Sequence, residues 1–167
     1  PLLIDVLTAF LRRLPRGAGG YRVERFLWDR VSPRHLVCRT RDGFKMQLNT
    51  QDFVQRTIYL SGVWDDDVGR VIRQLQPGQL FIDCGANVGY FSLMAAARGA
   101  RVIAFEPNPA CVREILVNAR LNELPGIDVR CMGLGATSGQ AELTLTNDSN
   151  LGAASLKPGR RPLRASP

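Results

Sequence analysis

A twelve-residue stretch, Leu80–Phe91, constrains the fold of this chain more than any other part of the sequence, which here is LFIDCGANVGYF. Its first four residues, Leu80–Asp83, predict a short buried strand, and residues 85–89 predict a tight glycine loop. The residues from Val88 onward predict a helix, because their apolar side chains recur on one helical face. Glycines let a ligand approach the backbone, and a helix start offers free N–H groups. The stretch therefore predicts a site for a nucleotide-like ligand.

A second predicted strand, Arg101–Phe105, follows this unit and ends at Glu106. An acid after the second strand is suited to accept hydrogen bonds from both hydroxyls of a ribose. The sequence thus places one acid, Asp83, at the end of the first strand and another at the end of the second, with the glycine loop between them. This arrangement predicts a ligand that contains a nucleoside.

The loop departs from the dinucleotide fingerprint G-x-G-x-x-G, because it has the form G-x-N-x-G and follows Asp83. A carboxylate beside the loop repels a pyrophosphate but attracts an ammonium group. S-adenosylmethionine has an α-amino group, a sulfonium and a ribose but no phosphate. The pattern therefore favours S-adenosylmethionine over NAD. The alternative is that Gly85 and Gly89 only form a tight turn, with Asp83 as a helix cap.

Residues 81–122, which include I-D-C-G-A-N-V-G-Y and A-F-E-P-N-P, resemble the FkbM-type family of S-adenosylmethionine-dependent methyltransferases. The resemblance extends more weakly to residues 133–143 and 149–156 and covers about residues 57 to 156. It implies an α/β fold of the Rossmann-like class I methyltransferase type, with a mostly parallel sheet and flanking helices. It also implies O-methylation of a hydroxyl on a sugar or a natural-product-like small molecule.

The same resemblance implies cofactor-binding roles for nine residues: Asp83, Gly85, Ala86, Asn87, Gly89, Glu106, Pro107, Asn108 and Leu134. Asp83 and the loop residues would line the methionine end of S-adenosylmethionine, and Glu106 would hold the ribose. Pro107, Asn108 and Leu134 would flank the adenine. The sequence identifies no catalytic base.

The order of predicted elements divides the chain into three parts. Residues 1–49 comprise an amphipathic helix over residues 3–14 and a β-hairpin around Asp42-Gly43. Residues 50–156 form the S-adenosylmethionine-binding α/β domain, and residues 157–167 are expected to be a basic disordered tail. From residue 147 onward the sequence predicts no further strand or helix.

The α/β domain is expected to be incomplete, with its later strands missing. A doubly wound sheet binds its ligand between the first and fourth strands, and the sequence supplies only the first three parallel strands. The resembling family carries a later motif of the form I-K-x-D-x-E-G, which residues 147–167 do not match. The chain also begins at Pro1. We therefore expect a fragment that has little or no activity alone.

Composition limits the partners and the compartment. The formal net charge is +7, and the four cysteines form no C-x-x-C pair. No metal site is predicted, and reduced structural cysteines are typical of a cytoplasmic protein. We expect a small-molecule hydroxyl acceptor, no nucleic-acid partner and no membrane association, while a homo-oligomer stays open. Two rival functions are an NAD-dependent oxidoreductase and a non-catalytic nucleotide- or RNA-binding module, the latter supported by the basic tail.

Overall fold

The structure, a computed structural model, describes residues 34–144, the backbone of residues 155–158, and residues 6, 8, 9, 26, 28 and 30. Most of the predicted helix over residues 3–14 and most of the predicted basic tail lie outside the described residues. The strands are β1 (His35–Arg39), β2 (Lys45–Asn49), β3 (Leu80–Cys84), β4 (Arg101–Phe105), β5 (Ile127–Arg130), β6 (Ala141–Thr144) and β7 (Ser155–Pro158). The helices are α1 (Phe53–Ser61), α2 (Asp66–Ile72), α3 (Tyr90–Ala97) and α4 (Pro109–Leu121).

Three parallel strands form the central sheet in the order β3-β4-β5. Helices α3 and α4 are the crossover connections of this sheet, so the predicted α/β architecture with a parallel sheet and flanking helices is confirmed. One sheet face carries Val102 and Ala104, which are at most 2% exposed and pack in the core. On the other face of β3, Leu80 and Ile82 are each 51% exposed. Strand β3 pairs with β4 alone among the described strands.

The helix ends follow local sequence signals. Asn108 caps α4 by accepting a hydrogen bond from Ala110 N, and Pro109 occupies the first turn, as the sequence predicted. Asp65 caps α2 in the same way, with two further acids in the first turn. Helix α1 begins at its cap Asp52 and ends at Gly62, which adopts φ +77°. These ends fix the loops that precede the central sheet.

The predicted hairpin is confirmed as strands β1 and β2, joined by the turn at Asp42-Gly43. Alternate side chains of β2, Met46 and Leu48, are fully buried in the core. The hairpin therefore packs against the α/β unit through one face and leaves the opposite face in solvent.

Two asparagines, Asn118 in α4 and Asn122 at its C-terminal cap, bind the edge of β2 that β1 leaves free. Asn118 Oδ1 accepts a hydrogen bond from Gln47 N at 2.7 Å, and Asn118 Nδ2 donates to Gln47 O at 3.3 Å. One turn later, Asn122 makes the same pair of bonds with Lys45 N and Lys45 O, at 2.7 Å and 2.6 Å. Each side-chain amide thus satisfies a peptide group as a neighbouring strand would. This asparagine clamp, Asn118 with Asn122, fixes the hairpin to α4.

Arg73 fixes the turn of the hairpin. Its Nε and Nη2 atoms donate to the two carboxylate oxygens of Asp42 at 2.6 Å and 3.1 Å, and its Nη1 donates to Asp66 Oδ1 at 2.9 Å. The hydrogen bonds to Asp42 and Asp66 raise the pKa of Arg73 above its ordinary value. The hairpin turn is therefore held against α2 by a bidentate ion pair.

Two features differ from the sequence prediction. Strand β7, in a segment where the sequence predicted no strand, pairs antiparallel with β6. The four cysteines, expected from the sequence to be structural, are free thiols, and two of them, Cys84 and Cys131, are exposed. Cys84 is exposed because it lies on the uncovered face of β3, and Cys131 because β5 ends one residue earlier.

Candidate functional site

The glycine loop between β3 and α3 is held by the end of β4. The N–H groups of Gly85 and Ala86 both donate to Phe105 O, at 2.9 Å and 3.0 Å. Gly85 adopts φ +83°, and a Cβ built on it would meet no atom within 4 Å. The loop therefore turns in a conformation that favours glycine and leaves open space above its backbone. A ligand can approach the main chain at this point.

Gly89 closes the loop for a different reason. It also has φ +83°, but a Cβ placed there would lie 3.0 Å from Ile115 Cγ1 of α4. Glycine at this position therefore allows α3 to start close against α4. Gly89 therefore has a packing role between the loop and α4, and it does not line the cavity described below.

Glu106 has its carboxylate fixed by two backbone donors. Asn87 N donates to Oε2 and Asn108 N donates to Oε1, each at 2.8 Å. Burial raises the pKa of Glu106, the two backbone hydrogen bonds oppose that shift, and the charge of Asp83 adds to it. The side chain is 6% exposed, and the exposed part borders the cavity. Each oxygen keeps a lone pair for a further donor.

Asp83 lies behind the loop. Its Oδ2 accepts a hydrogen bond from Ser92 Oγ at 2.7 Å, so the carboxylate contacts the body of α3. Burial raises the pKa of Asp83, and the hydrogen bonds from Ser92 partly offset that shift. Asp83 does not line the cavity. Its charge still acts at the site, because it is close enough to raise the pKa of Glu106.

A cavity of about 490 Å³ opens at the carboxyl ends of β3 and β4. Six of the nine residues predicted from the sequence line it: Gly85, Ala86, Asn87, Glu106, Pro107 and Leu134. The other three, Asp83, Gly89 and Asn108, support these six from behind, through the contacts described above and through the Asn108 N–H on Glu106. A parallel sheet binds ligands at this edge.

Aromatic and aliphatic side chains form a second group in the lining, which the sequence analysis did not include among the site residues. It includes Val54 of α1, Trp64 of the α1–α2 loop, and Tyr90 and Phe91 of α3. Trp64 also contacts Phe53 edge to face, with ring centroids 6.5 Å apart. The position of Tyr90 and Phe91 directly after the glycine loop was a usable signal, whereas nothing local marks Val54.

Across the described part of the chain, no group of three or more His, Cys, Asp or Glu side chains is arranged to hold a metal ion. Within the same residues, every helix is too short or too polar to span a bilayer. The chemical groups that line the cavity therefore include a carboxylate and an apolar aromatic wall. This set suits a cofactor with a nucleoside and an uncharged or cationic substituent.

A family model described as the TRM5/TYW2 methyltransferase domain matches residues 41–133 of this chain. A tRNA (guanine(37)-N(1))-methyltransferase of Leishmania braziliensis is 41% identical over 56 residues, which are 34% of this chain and 8% of the relative. The AMB antimetabolite synthetase AmbE of Pseudomonas aeruginosa is 35% identical over 103 residues, 60% of this chain and 4% of the relative. The methyltransferase sdnD of Sordaria araneosa is 32% identical over 95 residues, 55% of this chain and 34% of the relative. The chain therefore spans a minor part of each of these relatives.

Similar solved structures include TYW2 of P. horikoshii in complex with MeSAdo, with 22% identity and a TM-score of 0.48 over 61% of this chain and 37% of that one. Trm5b of Pyrococcus abyssi is likewise 22% identical, with a TM-score of 0.47 over 59% of this chain and 28% of that one.

The curated relatives correct one expectation from the sequence. We expected no nucleic-acid partner. This expectation is wrong, because similar proteins from Leishmania braziliensis, Aedes aegypti and Entamoeba histolytica are tRNA methyltransferases. The prediction considered only the basic tail, residues 157–167, which contains no aromatic residue. It overlooked the folded domain, where aromatic side chains line the cavity.

Proposed function

Since this chain belongs to the TRM5/TYW2 methyltransferase domain family, we propose that it binds S-adenosylmethionine in the cavity beside Glu106 and transfers the methyl group to a base of tRNA. The activity of the whole protein and its acceptor are part of this proposal, because the match covers a minor part of each relative. The acceptor class follows the relatives that act on guanine 37 of tRNA.

The position of Glu106 carries the proposal. Each of its two oxygens accepts a hydrogen bond from a separate backbone N–H group, and the residue lines the cavity. Each oxygen keeps a lone pair for a further donor. A pair of vicinal ribose hydroxyls fits this acceptor pair. The open space above Gly85 admits the rest of the nucleoside, and Pro107 and Leu134 offer apolar contact to a purine.

Bound S-adenosylmethionine supplies a methyl group on a sulfonium. Methyl transfer is an in-line displacement, so the protein contributes chiefly by positioning the acceptor and excluding water. Trp64 and Phe91 form an apolar aromatic wall in the same cavity. Unstacked RNA bases bind by stacking on aromatic side chains. This wall is therefore suited to hold a flat acceptor base near the methyl group.

Isothermal titration of S-adenosylmethionine into the wild-type chain and a Glu106→Gln variant tests the cofactor site. Losing hydrogen bonds to a charged acceptor costs about 1.5–3 kcal/mol, so we expect the variant to bind roughly ten- to a hundredfold more weakly. Glu142→Gln, at an exposed position on β6, is the matched control and should bind as the wild type does. Equal affinity of the wild type and Glu106→Gln would reject the role of Glu106.

Methylation of unmodified tRNA transcripts tests the acceptor. A transcript with guanine at position 37 should incorporate labelled methyl groups, and one with adenine there should not. Because we expect the isolated chain to have low activity, the assay is run with chain in excess of RNA. Cofactor binding without any transfer to RNA would retain the cofactor site and reject the RNA acceptor.

A hydroxyl-bearing small molecule is the second candidate acceptor. It is favoured by the longer match to an antimetabolite synthetase, 103 residues against 56 for the tRNA methyltransferase of Leishmania braziliensis. The resemblance of residues 81–122 to the FkbM-type family implies the same acceptor class. Incubation of the chain with labelled cofactor and separate pools of RNA and low-molecular-weight hydroxyl compounds would separate the two candidates by the pool that becomes labelled.

A further inference from the structure

The tip of the β1–β2 hairpin carries three exposed cations, Arg39, Arg41 and Lys45. Arg39 and Lys45 are direct partners across the two strands. Like charges placed opposite each other destabilise a strand pair. Within the part of the chain that the structure describes, the ion pairs involve other cations, Arg70, Arg73 and Arg130. The hairpin tip, defined here as residues 39–45, thus presents three cations that no described carboxylate neutralises by a direct ion pair.

The one acid of the hairpin tip points inward. Both carboxylate oxygens of Asp42 are bound by Arg73, as described above, and Asp42 Oδ2 also lies 3.5 Å from the hydroxyl of Tyr90. Asp66, whose pKa Arg41 helps to lower, is itself bound by Arg73 at 2.9 Å. The carboxylates that could have offset the tip cations are therefore already paired with a different cation.

The hairpin tip borders the rim of the cavity. Arg41 N donates to Gly62 O at 2.9 Å, and Gly62 is two residues before Trp64, which lines the cavity. On the other side of the tip, Asp42 approaches the hydroxyl of Tyr90, another lining residue. The three cations therefore lie next to the aromatic part of the site, on an element that the asparagine clamp and Arg73 hold in place.

We propose that Arg39, Arg41 and Lys45 form a phosphate clamp that binds the backbone of an RNA strand while its target base occupies the cavity. The inference rests on the proposed RNA acceptor. Arg39 donates one hydrogen bond to Gly43 O and keeps further N–H donors for a phosphate. Guanidinium groups bind phosphate oxygens bidentately, and a lysine adds a point charge.

The test measures, by fluorescence anisotropy, the binding of a labelled unmodified tRNA transcript to the 167-residue chain. The KCl concentration is varied from about 50 to about 200 mM, a range in which phosphate contacts dominate the salt dependence of the affinity. The double variant Arg39→Gln/Lys45→Gln should bind at least fivefold more weakly at the lower salt. The slope of log K against log salt should become shallower by about 1.4, because each lost phosphate contact on a single strand removes about 0.7.

Arg98→Gln/Arg101→Gln is the matched control. Both side chains are exposed and lie at the amino end of β4, whereas the cavity lies at the carboxyl ends of the strands. This control removes the same charge and should change the affinity for tRNA less than twofold. Thermal melting and titration of S-adenosylmethionine verify that both variants fold and bind the cofactor as the wild type does.

Equal weakening by the two double variants would show a general charge effect and overturn the clamp. Unchanged affinity of the hairpin variant would overturn it as well. If the wild type binds and methylates tRNA but the hairpin variant is unaffected, the clamp alone fails. If the wild type binds S-adenosylmethionine but no tRNA at any salt concentration, the proposed RNA acceptor and the clamp fail together.

Discussion

Glu114 on α4 is a partly buried carboxyl whose protonation should control the stability of the fold. Its Oε2 is buried without a hydrogen bond, and the buried Gln55 Nε2 nearby is also without one. Burial raises the pKa of Glu114 to about 7, the neighbouring Asp52 adds to the shift, and Gln55 opposes it. Asp52 is 0% exposed and caps α1 by accepting a hydrogen bond from Gln55 N. When Glu114 ionises, its negative charge therefore lies near that of the buried Asp52, which disfavours the ionised form.

The sign of the pH dependence follows from this shift. The folded pKa of about 7 lies above the ordinary value of 4.5, so the folded chain binds the proton more tightly than the unfolded chain. The resulting stability is present below pH 4.5 and is lost as the pH rises to about 7. With about 1.4 kcal/mol for each unit of pKa, this group accounts for at most about 3.5 kcal/mol. Contact of the side chain with solvent reduces that value.

Urea unfolding of the wild type and Glu114→Gln between pH 4.5 and pH 8 measures the effect. The glutamine keeps the shape of a protonated carboxyl but cannot ionise. We expect Glu114→Gln to be more stable than the wild type at pH 8, by about 2 kcal/mol, and to differ little at pH 4.5. Glu123→Gln, exposed beyond the end of α4, is the control and should follow the wild type at every pH.

The reasoning would be refuted if Glu114→Gln were less stable than the wild type at pH 8. That outcome would mean that ionised Glu114 makes a favourable interaction in the folded state. Parallel curves for the two proteins across the whole range would also refute it, because they would show that Glu114 has the same pKa in the folded and unfolded chains.

Two further predictions concern packing. Asn118→Ala should lower the free energy of unfolding by about 3 kcal/mol, because it leaves both peptide groups of Gln47 without their partner; urea unfolding measures this, and a loss below 1 kcal/mol would contradict it. Gly89→Ala should destabilise more than Gly78→Ala in thermal melting, because both positions have positive φ but only Gly89 has Ile115 within 3.0 Å of the added Cβ. Equal shifts in melting temperature would contradict this second prediction.

The parts of the fold that follow from local signals were predictable from the sequence. The glycine loop after β3, the turn at Asp42-Gly43 and the helix start at Asn108-Pro109 each depend on the backbone preferences of a few adjacent residues. Glu106 was predictable as a site residue for a related reason, since parallel strands in consecutive units end at the same edge of a sheet.

The remaining features depend on contacts between distant segments. The bond between Asn118 and Gln47 spans 71 residues, and no periodicity of α4 marks Asn118 as different from a surface asparagine. Trp64 enters the cavity because α1 and the hairpin tip position its loop, which no local pattern encodes. The side-chain contact that Asp83 makes with Ser92 likewise became evident only from the geometry of α3.

The asparagine clamp also orders the events of folding. A hairpin closes within microseconds because its contacts are local, whereas contacts distant in sequence must wait for the intervening chain to be organised. The partners of the clamp are separated by 71 and 77 residues, so we expect β2 to gain these hydrogen bonds only after α4 has formed. The cationic tip therefore reaches its place beside the cavity late, once the nucleoside site has been assembled.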